Sequence, residues 1–138
     1  MRKDLLKVMI ESLDKDLNHY DAFQALLEQQ LSAMQHHDAK MLEESGLQMV
    51  ALSELLHKQQ EKRQVLIRAL SGSRENMSLT QYIASLNGRV KEALNQRCVM
   101  LKEKAERCKF LSQRNAVISS EQHDLLQDLL NGERHTYA

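Results

Sequence analysis

The stretch LNGRVKEALNQRCVMLKEKAERCKFLSQRNAVISSEQHDLLQDLL, from Leu86 to Leu130, decides how this chain folds. Its apolar positions Leu86, Val90, Leu94, Leu101, Cys108, Leu111, Ile118, Leu125 and Leu129 recur at the spacing of a helix that buries one stripe. At a rise of about 1.5 Å per residue such a helix runs about 65 Å. The two amphipathic segments before it span about 33 residues each, or about 50 Å. The final turns, with Leu125, Leu126, Leu129 and Leu130, are therefore expected to overhang their own bundle. An overhanging apolar stripe dimerises, folds back or receives another protein.

The composition favours long helices. The 138 residues contain no proline and only four glycines, so the strongest helix breakers are nearly absent. The length fits one domain. Aromatics are few (Tyr20, Phe23, Tyr82, Phe110 and Tyr137), which predicts a slender bundle with leucine seams rather than a broad core. Formal net charge is zero, but basic residues dominate from Arg89 to Arg114 and only acids follow from Asn115 to Glu133. With no aromatic interleaving, the basic run reads as a solvated helix face rather than a nucleic-acid surface.

The first helix is expected over residues 3–36, with Leu6, Met9, Leu13, Leu17, Tyr20, Leu27, Leu31 and Met34 on one stripe and Gln24 as its polar intruder. His36-His37-Asp38 interrupts it, and Asp38 is a plausible N-cap for a second helix reaching residue 70. That second seam carries Leu42, Met49, Leu52, Leu56, Leu66 and Leu70. It is weakened by Ser45, Gln59 and Arg63, with Gly46 inside it. So short a link makes an antiparallel hairpin.

Residues 71–77 form the clear loop, with Gly72 as helix terminator. Ser78-Leu79-Thr80-Gln81 then has the capping-box pattern and opens a short helix over 78–86, its Tyr82, Ile83 and Leu86 facing inward. The last helix is expected over 87–131. Asn131-Gly132 ends it, leaving 132–138 as a flexible tail. The expected fold is all-α: a long antiparallel α-hairpin, a short helix and a long C-terminal helix in an elongated, three-helix coiled-coil-like bundle.

Little in the chain suggests catalysis. Glu54-Leu-Leu-His57 has the Glu-x-x-His spacing of di-iron bundles, but such a site needs two of these motifs and two further carboxylates, all facing inward. Asp16-Leu-Asn-His19 is the only near match, and Leu52 and Leu56 already mark the buried stripe. Glu54 and His57 therefore read as surface residues. His36-His37-Asp38 reads as a hinge with a helix cap, since adjacent turn histidines make no complete tetrahedral metal set. No phosphate loop, nucleophile elbow or Cys-x-x-Cys pair occurs. Cys98 and Cys108, about 15 Å apart along one helix, cannot pair within it and read as small buried hydrophobes. The charged start Met1-Arg2-Lys3-Asp4 is no ordinary signal peptide, and no apolar run is long enough to span a bilayer. The expectation is a cytoplasmic protein without enzyme activity, cofactor, metal, nucleic-acid partner or membrane insertion.

Cys108-Lys-Phe-Leu111-Ser-Gln-Arg-Asn115-Ala-Val-Ile118 resembles the motif of the FlgN family of flagellar type III export chaperones. That family carries a pattern close to Leu-Asn-x-x-Asn-Gly-x-Leu/Ile in its last long helix. Leu111, Asn115 and Ile118 match, while Ser112 and Ala116 stand where Asn and Gly are usual. The long hairpin jointed before Asp38 is also similar to the family's. The resemblance implies a chaperone for the C-terminal helical segments of hook-associated, hook–filament junction proteins. It would hold them from early assembly and deliver them to the export apparatus.

The same resemblance places client contacts in the C-terminal amphipathic region, in agreement with the overhang. Ile118, Leu125, Leu126 and Leu129 are expected to carry affinity, with Leu111 and Asn115 at the edge. Asn115 either fixes helix register or simply bonds water or a neighbouring glutamine. Tyr137 sits where family members carry a tyrosine that docks on the export gate, although the chain shown lacks the usual residues beyond it. The competing reading is a self-associating coiled-coil adaptor, a homodimer whose C-terminal stripe pairs with its own copy.

Overall fold

The computed structural model describes residues 2–72 and 77–137, without the side chains of 126, 129, 130 and 132–137. Four helices follow in order: α1 (Arg2–Gln35), α2 (Ala39–Ser71), α3 (Leu79–Ala84) and α4 (Gly88–Tyr137). There is no strand among the described residues, and the fold is all-α as the periodicity implies.

The joint between α1 and α2 is unusually short, and its hydrogen bonds explain how. The His37 N–H donates to Met34 O (3.4 Å) and the Asp38 N–H to Ala33 O (2.9 Å), which is the Schellman pairing that closes a helix C-terminus. His37 takes the left-handed conformation this requires, at φ 53°. Asp38 at once caps α2, its carboxylate accepting from the Met41 N–H at 3.1 Å. Stop and start therefore share three residues, and α2 must run back antiparallel to α1.

At the other end Gly72 terminates α2 at φ 64°, its N–H donating to Arg68 O. Ser78 and Gln81 make both bonds of the capping box, at 3.1 and 3.0 Å. The short helix ends at Ala84 rather than at residue 86. Asn87 and Gly88 then break the chain, with Gly88 at φ 73°, so α3 and α4 are separate helices. α4 runs on through Asn131-Gly132 to Tyr137, past the stop and the flexible tail expected there. Glycine lowers helix stability by only about 1 kcal/mol, which the surrounding turns absorb.

Residue numbers rise together across the α1–α4 seam: Asp14 meets Arg97, Asp21 meets Lys104 and Glu28 meets Arg114. α4 is thus parallel to α1, and the topology is up, down, up. Two apolar clusters hold it. The basal one gathers Met9, Leu13, Ile67, Tyr82, Ile83 and Leu94, with α3 as its plug. The upper one gathers Leu27, Cys108 and Leu111, with Tyr20, Phe23 and Met49 around it.

Between them lies a polar layer on the seams. Arg63 of α2 donates to the Asp16 carboxylate and to Ser12 Oγ (3.4 Å), and Ser12 donates to Gln59 Oε1 (3.2 Å). The Asp16 side chain is 1% exposed and that of Arg63 10%. Arg63 and Gln59, which weaken the α2 stripe on paper, are therefore answered by Asp16 and Ser12 of α1. Neither of those two belongs to the α1 stripe read from the sequence.

Candidate functional site: the upper end of the long helix

Near its upper end α4 is held by α1. Asn115, 3% exposed, donates through Nδ2 to Leu27 O (2.8 Å) and to Gln30 Oε1 (2.9 Å). Its Oδ1 accepts from Arg114 Nε and Nη2, and Arg114 also donates to Glu28. An asparagine satisfied in this way on an apolar seam penalises any slip of α4 along α1, because a slipped register leaves it unpaired. One partner is a neighbouring glutamine, Gln30, as the simpler reading expects, and the other is a backbone carbonyl of α1 across the seam.

Two turns higher Gln122 Nε2 donates to Met34 O at 3.3 Å, one residue before α1 ends at Gln35. α4 then continues to Tyr137, about 22 Å beyond Gln122 at helical rise. The overhang read from helix lengths is therefore present in the backbone.

The six residues expected at the client surface fall into three groups. Leu111 is 0% exposed in the upper core, and Asn115 is committed to α1. Neither offers free surface while the bundle is intact, because both lie on the face α4 turns to α1. Ile118 is half-buried at the rim, and Leu125 is 64% exposed. The side chains of Leu126 and Leu129 lie outside the described residues, as does that of Tyr137.

A feature the periodicity does not reveal lies beside them. α1 packs against both α2 and α4, yet among the described residues no Cα of α2 comes within 8 Å of one in α4. Above the α3 plug the two flanking helices leave a slot. One hollow of about 280 Å³ is floored by Tyr20 and Phe23 and walled by Ser53 and Leu56 of α2 and Cys108 of α4. A second of about 330 Å³ is floored by Gln30 and Met34 and walled by Leu42 and by Ser112, Ala116 and Ser119. Small side chains in the α4 motif and polar residues on the α2 seam are the signals that could have pointed to it.

His57, with Gln60, also lines the first hollow, beside Tyr20 and Cys108. Glu54 and His57 are exposed, and His57 Nε2 pairs with Glu61 at 3.1 Å. His19 Nδ1 lies 3.6 Å from the Asp16 carboxylate, which Arg63 already engages. Among the described residues no three histidine, cysteine or acidic side chains group as a metal site, and no helix is long and apolar enough to cross a membrane. Both cysteines are free. Burial pushes the Cys108 thiol above its ordinary 9.0, with Asp21 adding to the rise and Lys104 opposing it. Burial likewise raises Tyr20, helped by Asp16.

No curated protein and no solved structure matches the chain. The family model described as FlgN protein matches residues 1–135. Nearly the whole chain is covered, including both helices of the hairpin and the α4 motif at Leu111, Asn115 and Ile118. The chain therefore belongs to the FlgN family of flagellar export chaperones.

Proposed function

We propose that this chain is a cytoplasmic chaperone for flagellar hook-associated proteins, holding their C-terminal helical segments on the upper end of α4. One observation carries the reading. α4 extends about 22 Å past its last bond to α1 among the described residues, and Leu125 stands 64% exposed on that extension. A solvent-facing leucine on a stretch of helix that runs past the end of α1 fits an amphipathic partner that supplies an apolar face. Binding would cover client surfaces that otherwise assemble, and the complex would be handed to the export apparatus, with Tyr137 as the contact at its gate. Ile118, Leu125, Leu126 and Leu129 form the binding surface in this reading. Leu111 and Asn115 act from beneath by holding α4 in register.

The test is light scattering coupled to size exclusion, on the chain alone and mixed with the C-terminal region of a hook-associated protein. A stable complex is expected, and a Leu125→Glu/Leu129→Glu variant should lose it while keeping its helical circular dichroism. The absence of a complex, with a concentration-dependent homodimer in its place, would turn the reading to a self-associating adaptor.

A further inference from the structure

We propose that the slot between α2 and α4 is a docking groove for one amphipathic helix of the export client, acidic along the flank that faces α4. This rests on the chaperone reading and adds a second surface to it, continuous with the overhang above.

The two sides of the α1–α4 seam differ in a way that points to a missing helix. On one side Arg97, Lys104 and Arg114 each bond an acid of α1, closing that edge with an ion-pair ladder. On the other side Lys109, Ser112 and Ala116 follow at i, i+3 and i+7, one face of α4, with Lys102 a heptad below. Ser112 and Ala116 wall the slot. Lys102 and Lys109 are exposed and carry no ion pair among the described residues. A helix lying in the slot would meet both lysines, and carboxylates on its flank would complete them.

The lining suits that occupant. Cys108, Ser112 and Ala116 are short side chains, which let a second helix axis approach at about 8 Å. Phe23 and Met34 give the floor apolar surface. Met49, half-buried between the two hollows, is an unbranched side chain that can shift to join them. From Tyr20 to Met34 the floor runs about 21 Å, so it holds a helix of about 14 residues. Its upper mouth opens at Ser119 and Gln122, where the overhang begins.

The experiment is calorimetric titration of the full chain with the C-terminal region of a hook-associated protein. Three variants are compared: Ala116→Trp, which fills the slot, Lys102→Glu/Lys109→Glu, which reverses its rim, and Val117→Trp on the outward face as control. The first two should weaken binding by about tenfold or more, and the control by less than about twofold. The rim variant should also lose or reverse the salt dependence of binding. Because both lysines are surface residues, that variant tests the groove even if Ala116→Trp does not fold. Wild-type affinity in both slot variants would overturn the groove and leave the chaperone reading standing. Ala116→Trp abolishing a homodimer without changing client affinity would also overturn it, by assigning the slot to a second copy. No binding to the parent chain would remove the chaperone reading and the groove with it.

Discussion

Replacing Arg63 by methionine should be among the most damaging single changes in this protein. The guanidinium is the partner of both the Asp16 carboxylate and Ser12 Oγ, inside a layer where Asp16 is 1% exposed. The second carboxylate oxygen, Asp16 Oδ1, accepts no hydrogen bond, and once Arg63 is gone only His19 Nδ1, 3.6 Å away, lies near the charge. Removing one partner of a buried pair costs about 3–5 kcal/mol, because the other remains desolvated and alone. For a chain of this length each kcal/mol moves the melting temperature by about 3–4 °C, so a fall of about 10–20 °C is expected. Asp16→Leu should cost less, since Arg63 is long enough to keep Ser12 and carry its charge toward solvent. The double variant Asp16→Leu/Arg63→Met should recover most of the loss or exceed the parent, since an apolar layer of similar volume avoids desolvation altogether. Urea unfolding followed by far-UV circular dichroism measures all four corners of this cycle. A cost below about 1 kcal/mol for Arg63→Met would refute the reasoning. So would a double variant as unstable as the sum of the singles.

Other expectations follow from the joints and seams. Asp38→Ala removes the α2 cap and should cost about 1 kcal/mol, while His37→Gly relieves a left-handed residue and should gain about 0.5 kcal/mol, both read by urea midpoint. Asn115→Ala orphans Gln30 in the seam and should cost about 1–2 kcal/mol in the same assay. Alkali should weaken the fold. Burial raises the Cys108 pKa, so the folded state disfavours the thiolate. That contribution is whole below the ordinary thiol pKa and is lost as pH rises through the raised folded value. Cys108→Ala should flatten this decline between parent and variant melting curves taken at successive pH values. Leu125→Glu alone, being at an exposed site, should change stability by less than about 0.5 kcal/mol while weakening client binding.

The helices and their ends were legible because their causes are local. Asp38, Gly72 and the Ser78–Gln81 box bond groups within four residues of themselves, and each does in three dimensions what its type and spacing imply. The overhang was legible for the same reason, being a difference of helix lengths. The end of α4 was misjudged, because a lone glycine is a stop only when the next residues favour leaving the helix. The site was half legible. The heptad spacing put Leu111, Asn115, Ile118 and Leu125 on one stripe but could not show where α1 ends beneath it. That end divides the covered residues from the exposed one.

Tertiary structure alone decided which polar residues pair and which helices touch. Arg63 reads as a flaw in the α2 stripe until Asp16, from a helix running the other way, is set against it. Burial of a charge depends on a partner distant in sequence, and periodicity carries no record of that partner. The slot is of the same kind. Each helix has a stripe wide enough for α1, but whether α2 and α4 also meet depends on the angle between their stripes as seen from α1. Sequence by itself thus determined the elements, their caps and that α4 outruns the hairpin, though not where α4 ends. The fold decided where that helix is held, where it is left bare and which of its lysines still lack a counter-charge.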